Sequence, residues 1–272
     1  MLESRKREIR VKAEEFRNNC KVSKYGIINL FEECNRKNYK LIRYPLGENG
    51  DMGFVLKRDD DIVIFTNSAV RMSREIFTLA HEIGHVVLHF GKENSFIDNQ
   101  HTLFGTSETV AEQEANFFAA NLLMPKDEVL KFYDLEFQET ENKKLSAIDI
   151  TRIMSEFKVS FEVVLNRLED LGIIDENEKI RLNNEKNISR VGNMLKATGG
   201  DRRLNEASME VALPFEYLNY TISNYNRGAI PRDTLMRTLA YYNFCFEDIS
   251  DKVVEPTDKE LDLEELIGGL EG

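Results

Sequence analysis

The sequence predicts an α+β fold, a small antiparallel sheet set among helices and followed by a mostly helical C-terminal module. Three observations carry this. Apolar residues recur at helical spacing over much of the chain, three short β-rich runs cluster between residues 39 and 65, and no internal repeat of fixed period interrupts the pattern. With 272 residues, 42% of them hydrophobic, the chain can bury one sizeable core and a second small domain.

The elements follow in order. Ile9, Ala13 and Phe16 recur among charges from Leu2 to about Asn18, and a second helical stretch runs from about Tyr25 to Arg36. Residues 39–44, 52–56 and 61–65 then read as strands, separated by Gly-Glu-Asn-Gly-Asp and by a charged turn at 58–60. From Arg74 to Phe90 the apolar residues cover most of a helix circumference, which predicts a buried helix with Ser73 as its N-cap and Gly91 as its stop. A polar loop over 92–107 precedes a helix from about Glu108 to Met124 that Pro125 ends. Ala147–Phe157 and Phe161–Leu171 form a helix-turn-helix-like pair within 145–174. Residues 175–200 are polar and read as a linker, and further helix is expected between Met209 and Ile249. These features predict a domain over 1–174, a helical module over 175–246 and an acidic tail over 247–272.

Charge excludes some partners. Lys+Arg 36 against Asp+Glu 48 gives a formal charge of −12, so phosphate backbones and anionic lipid surfaces should repel the molecule. The tail, with ten acids and two lysines, supplies −8 of that total. No direct nucleic-acid partner and no membrane is expected. Cys20, Cys34 and Cys245 are too widely spaced for a thiolate metal site. With no apolar targeting segment at Met1–Arg10, they predict ordinary thiols in a cytoplasmic protein.

The chemistry lies in His81-Glu82-Ile83-Gly84-His85. On a helix an i, i+4 pair shares one face about 6 Å apart, so both imidazoles can close on one ion. In the middle of a buried helix, two imidazoles and a carboxylate would otherwise be desolvated without partners. A bound metal lowers the pKa of water to about 7, and Glu82 is the predicted general base and later proton donor to the leaving amine. Two histidines leave a third ligand open. Glu112 is preferred, because Ala115 and Ala119 beside it allow close helix packing; Glu114 points about 200° away and is the alternative. His89, one turn past His85, sits too far along the helix axis to share the ion and is expected to orient a ligand or to serve packing. Asn116 shares the face of Glu112 and could orient a ligand; His101, in the polar loop, could bind substrate or stabilise an oxyanion. Two imidazoles and a carboxylate suit Zn2+, with manganese or iron as alternatives.

The run Phe77 to His85, followed by Glu112-Gln113-Glu114-Ala115-Asn116-Phe117-Phe118-Ala119-Ala120-Asn121-Leu122-Leu123-Met124-Pro125, resembles the signature of the ImmA/IrrE family of bacterial zinc metallopeptidases. The order of elements from about residue 5 to 174 is similar too. The resemblance implies a minimal zincin-like domain, with His81, His85 and Glu112 as ligands and Glu82 as base. It also implies cleavage of a helix-turn-helix repressor or antitoxin-like protein. The residue pattern alone leaves a second reading, a zinc-containing module that sequesters such a partner without cutting it.

The remaining features are weighed the same way. Zincins bind substrate as an added strand on the sheet edge nearest the metal, and Asp61–Phe65 is the expected edge. Between residues 141 and 170 five bases meet six acids, so packing or docking is expected of the 145–174 pair rather than DNA reading. The aromatics from Phe215 to Phe246 are expected to form the core of the helical module.

Overall fold

The computed structural model describes residues 1–47, 49–50, 52–58, 60–90, 109–137 and 144–254. Two compact units divide the chain, Met1–Val211 and Ala212–Gly272.

The first unit opens with α1 (Glu3–Asn18) and α2 (Leu30–Arg36). The second helix starts later than its periodicity suggests. Asn29 caps it by accepting from the Phe31 and Glu32 N–H groups, while Val22 and Ile27 form an isolated bridge. Gly26 passes so close to the 156 carbonyl that an added Cβ would lie 2.1 Å from its oxygen, which leaves no room for a helical side chain.

The sheet consists of β1 (Lys40–Tyr44), β2 (Gly53–Arg58) and β3 (Asp61–Asn67), in the order β1-β3-β2. It is mixed rather than antiparallel. β2 pairs antiparallel to β3, but β1 runs parallel to β3, with Leu41 opposite Ile64. Parallel pairing needs a crossover of a dozen or more residues, and the stretch from 45 to 60 supplies it with β2 as its outgoing arm. The strand expected at the edge, β3, is therefore central, and the outer strands are β1 and β2.

Helix α3 (Met72–His89) follows and buries Ile76, Leu79, Ala80 and Ile83. It starts ahead of the expected cap, and Ser73 is buried inside it. Its first turns are anchored by Glu75, which is fully buried and accepts from Arg43 Nε at 2.8 Å, Arg43 Nη2 at 2.9 Å and Thr66 Oγ1 at 2.9 Å. Against α3 lies α4 (Val110–Leu123), whose C-terminal carbonyls meet two buried arginines. Arg17 donates to the Leu122 carbonyl at 3.2 Å; Arg167 donates to the Met124 carbonyl and to Asn121 Oδ1, both at 2.9 Å. Neither guanidinium needs a carboxylate there, because the helix end offers unpaired carbonyls and negative potential.

The unit continues with α5 (Lys126–Phe137), α6 (Ala147–Phe157) and α7 (Phe161–Asp170). Ser146 and Ser160 cap the last two, and the turn between them includes Lys158 at φ 58°. The inner faces of this helix-turn-helix-like pair are buried in the main core, and its Arg167 is spent on α4. The expected linker is helical, forming α8 (Glu176–Ile188) and α9 (Val191–Ala197). Leu182, Met194, Leu195 and Leu204 bury completely or nearly so in the same core. Four apolar anchors among polar residues carry the first unit past residue 174 to Val211.

The second unit contains α10 (Phe215–Asn226) and α11 (Arg232–Tyr241). Its core is Leu218, Ile222, Tyr225, Leu235, Leu239 and Ile249, with Tyr242 and Phe246 packed at its margin. Phe215, Tyr217, Tyr220, Tyr241 and Phe244 are exposed, contrary to the expected aromatic core. On α10 the 3.6-residue period places 218, 222 and 225 inward and turns 217 and 220 out. Cys20, Cys34 and Cys245 are free thiols, and burial pushes the Cys34 thiol up to about 12. Among the described residues no helix is long and apolar enough to cross a membrane. Most of the acidic tail, from 255 on, and residues 91–108, which include Gly91 and His101, lie outside the described residues.

Candidate metal centre

The site forms where α3 and α4 touch. Gly84 makes that contact close, since an added Cβ would stand 3.1 Å from the Ala115 Cα, 3.2 Å from its carbonyl oxygen and 3.2 Å from Phe118 Cδ1. The glycine inside the motif and the alanine of α4 thus bring the two backbones together, one turn from His81 and one turn from Glu112.

His81, His85 and Glu112 converge. Their donor atoms all lie within 4.8 Å of one another. His81 Nε2 is 3.0 Å from His85 Nε2 and 2.9 Å from Glu112 Oε2, and His85 Nε2 is 3.3 Å from Glu112 Oε1. Donors held tetrahedrally at about 2.0–2.1 Å from an ion are separated by about 3.3 Å along each edge. The two imidazole nitrogens and the Glu112 carboxylate, one oxygen towards each ring, are therefore close enough to share one small cation, and as three ligands they are one short of a tetrahedral set.

Electrostatics agree with that donor set. Hydrogen bonds from His81 and His85 hold the Glu112 carboxyl well below the usual carboxylate range. Burial works against protonating His81, yet the hydrogen bond to Glu112 and the charges of Glu82 and Glu112 outweigh it and raise its pKa. His81 and Glu112 behave as a cation-seeking pair in which a proton substitutes for the ion.

Both imidazoles are steered from behind. His81 Nδ1 lies 2.9 Å from Asn116 Oδ1; an amide oxygen only accepts, so Nδ1 carries a hydrogen, and Nε2 is the nitrogen that would offer its lone pair once its own proton gave way to an ion. His85 Nδ1 lies 3.1 Å from His89 Nδ1. Glu114 takes no place among the three donors. Its carboxylate accepts from Arg5 Nε at 2.8 Å and Nη2 at 2.5 Å and lies 3.3 Å from His89 Nε2. Of the two acids considered from sequence, the structure brings Glu112 to the imidazoles and turns Glu114 away, as the angle between them on one helix requires.

Glu82 is buried, with 6% of its surface exposed. Gly53, the first residue of β2, lies against it: an added Cβ there would be 3.1 Å from Glu82 Oε1 and 2.5 Å from Thr78 Cγ2. The outer strand nearest the site is therefore β2. A cleft of about 930 Å³, lined in part by Asn49, Arg71, Arg74, Phe77 and Asn116, opens on the Asn116 side of His81. Sequence reasoning missed Gly53 and Arg5. A glycine opening a strand was the available signal for Gly53; nothing local marks Arg5, whose partner is 109 residues away.

A family model described as the IrrE N-terminal-like domain, Peptidase_M78, matches residues 34–169. Immunity region protein 2 of Bacillus phage phi105 is 34% identical over 118 residues, covering 43% of this chain and 71% of that protein. The radiation response metalloprotease IrrE of Deinococcus radiodurans is 45% identical over 65 residues. That match spans 24% of this chain and only a fifth of the relative, 20%.

Proposed function

From the premise that this chain belongs to the Peptidase_M78 family of IrrE N-terminal-like domains, we propose that it is a zinc endopeptidase of narrow specificity acting on a protein partner. The observation that carries the proposal is the convergence of His81 Nε2, His85 Nε2 and the Glu112 carboxylate to within reach of one ion, with the buried Glu82 carboxylate on the same helix. Two imidazoles, a carboxylate and a free fourth position are the ligand pattern of a catalytic rather than a structural zinc.

When bound, the ion supplies Lewis acidity, polarising a peptide carbonyl and lowering the pKa of water to about 7. Glu82 accepts a proton from the attacking water at its carboxylate and passes it to the leaving amine nitrogen. Burial of Glu82 against Gly53 excludes bulk water from that transfer. Asn116 holds His81 in the tautomer that leaves Nε2 free. The substrate extends along β2, whose first residue touches Glu82, and continues towards the cleft beside Asn116.

The partner in this reading is a helix-turn-helix repressor or an antitoxin-like protein. One relative is named for a phage immunity region and the other for a radiation response, which favours action within a regulated response. Catalysis resides in residues 1–174, ahead of the 175–246 module and the acidic tail. Incubating the zinc-loaded chain with a purified helix-turn-helix repressor, taken first from any gene adjoining its own, tests the proposal. Two discrete fragments with the native chain and none with Glu82→Gln support it; an intact, stably bound partner in both cases overturns the peptidase reading.

A further inference from the structure

The zinc-site reading rests on α3 and α4, both inside the family-matched stretch, yet a chain of polar contacts leads from His85 to α1, outside it. His85 Nδ1 meets His89 Nδ1 at 3.1 Å, His89 Nε2 meets Glu114 Oε2 at 3.3 Å, and Glu114 is gripped by two nitrogens of Arg5 at 2.8 and 2.5 Å. The side chains of His85, His89 and Glu114 are each only 10–12% exposed and that of Arg5 28%, so water competes weakly for these contacts.

One proton arrangement satisfies every link. With its Nε2 given to the cation, His85 carries its hydrogen on Nδ1 and donates to His89 Nδ1. His89 then carries its hydrogen on Nε2 and donates to Glu114, which as a carboxylate accepts from both His89 and Arg5. Reversing any link would put two hydrogens, or two lone pairs, face to face. The chain is a carboxylate–imidazole relay with a second imidazole interposed before the ligand, and such outer partners fix ring orientation and raise ligand basicity.

We propose that Arg5 is a positioning residue for the metal site, acting through Glu114 and His89 to fix the tautomer and ring plane of His85. The N-terminal helix α1 is then a part of the metal centre as well as a packing element. This inference rests on the zinc-site reading, and its test uses zinc binding alone.

Zinc affinity is measured by competition with a chromophoric chelator on the full chain, for native protein, Arg5→Ala, His89→Ala and the double variant. Each single variant is expected to bind zinc about 10–100-fold more weakly. The double variant should be no weaker than His89→Ala alone, because Arg5 acts only through His89. His89→Asn, which restores an acceptor facing His85, should recover part of the loss, and cobalt-loaded His89→Ala should show altered visible bands. Should Arg5→Ala unfold the chain, Glu114→Gln replaces it. Native-like affinity in the single variants, or additive losses in the double one, overturns the relay. Failure of the native chain to bind zinc at all would overturn the site itself and is seen in the same titration.

Discussion

Gly84→Ala sets two well-known effects against each other at the centre of the site. In an exposed helix interior, alanine for glycine stabilises by about 1 kcal/mol. Here the new methyl would stand 3.1–3.2 Å from three atoms of α4, several tenths of an ångström inside the usual carbon contact distance of about 3.5–4.0 Å. Two of those atoms are backbone and cannot rotate away, so α4 must retreat. Overpacking of this kind costs about 1–3 kcal/mol, which leaves a net destabilisation of about 0–2 kcal/mol. The retreat carries Glu112 with it, and a shift of a few tenths of an ångström exceeds the about 0.2 Å tolerance of a metal–ligand distance. Urea unfolding of the metal-free variant, paired with chelator competition for zinc, is expected to show a small loss of stability and an affinity at least about tenfold weaker. A variant stabilised by the full helix-propensity gain and binding zinc like the native chain would refute the claim that α3–α4 closeness assembles the site.

Further outcomes follow from other residues. Glu82→Gln should retain zinc while cleavage of the partner falls about 10²–10⁴-fold, measured as initial rates on the same substrate. Arg167→Met should lower unfolding free energy by about 2–4 kcal/mol, because the Met124 carbonyl and Asn121 Oδ1 lose their buried donor. Glu75→Leu should cost about 1–3 kcal/mol, because Arg43 loses its buried carboxylate partner while keeping Glu210 and Ser208; both are read by denaturant titration. The folded-state pKa of His81 lies above its ordinary 6.5. Its contribution to the metal-free fold is thus fully present below 6.5 and lost as pH rises through the raised value. Zinc requires the deprotonated ring, so the rise in Tm on adding zinc should grow between pH 6 and 8; a constant or shrinking increment would contradict it.

How much of this was legible depended on the distance over which each feature is encoded. The spacing of His81 and His85 places both rings on one helix face, so the pair could be read locally. That only one of Glu112 and Glu114 can face the site was equally local, but the choice between them rested on the small Ala115 and Ala119 beside Glu112 and left Glu114 open. The α6–α7 pair announced itself through its apolar period and short connection. The sheet order did not, because pairing β1 with β3 is decided by what covers each edge and not by residues 40–44 themselves. Residues 175–200 read as a linker because their polar surface outnumbers Leu182, Met194 and Leu195, although those three, with Leu204 just beyond, decide where the segment packs. Aromatic residues of α10 looked like core by type, but helical phase turns Tyr217 and Tyr220 to solvent. Arg5 could not be read at all, since its partner lies across the fold.

The central claim is that His81, His85 and Glu112 hold one cation. Metal analysis of the purified chain beside its Glu112→Ala variant tests it most directly. One zinc per native chain, lost or greatly reduced in the variant at the same chelator concentration, is the predicted result; a native chain free of metal, or a variant that keeps its full zinc complement, would contradict it.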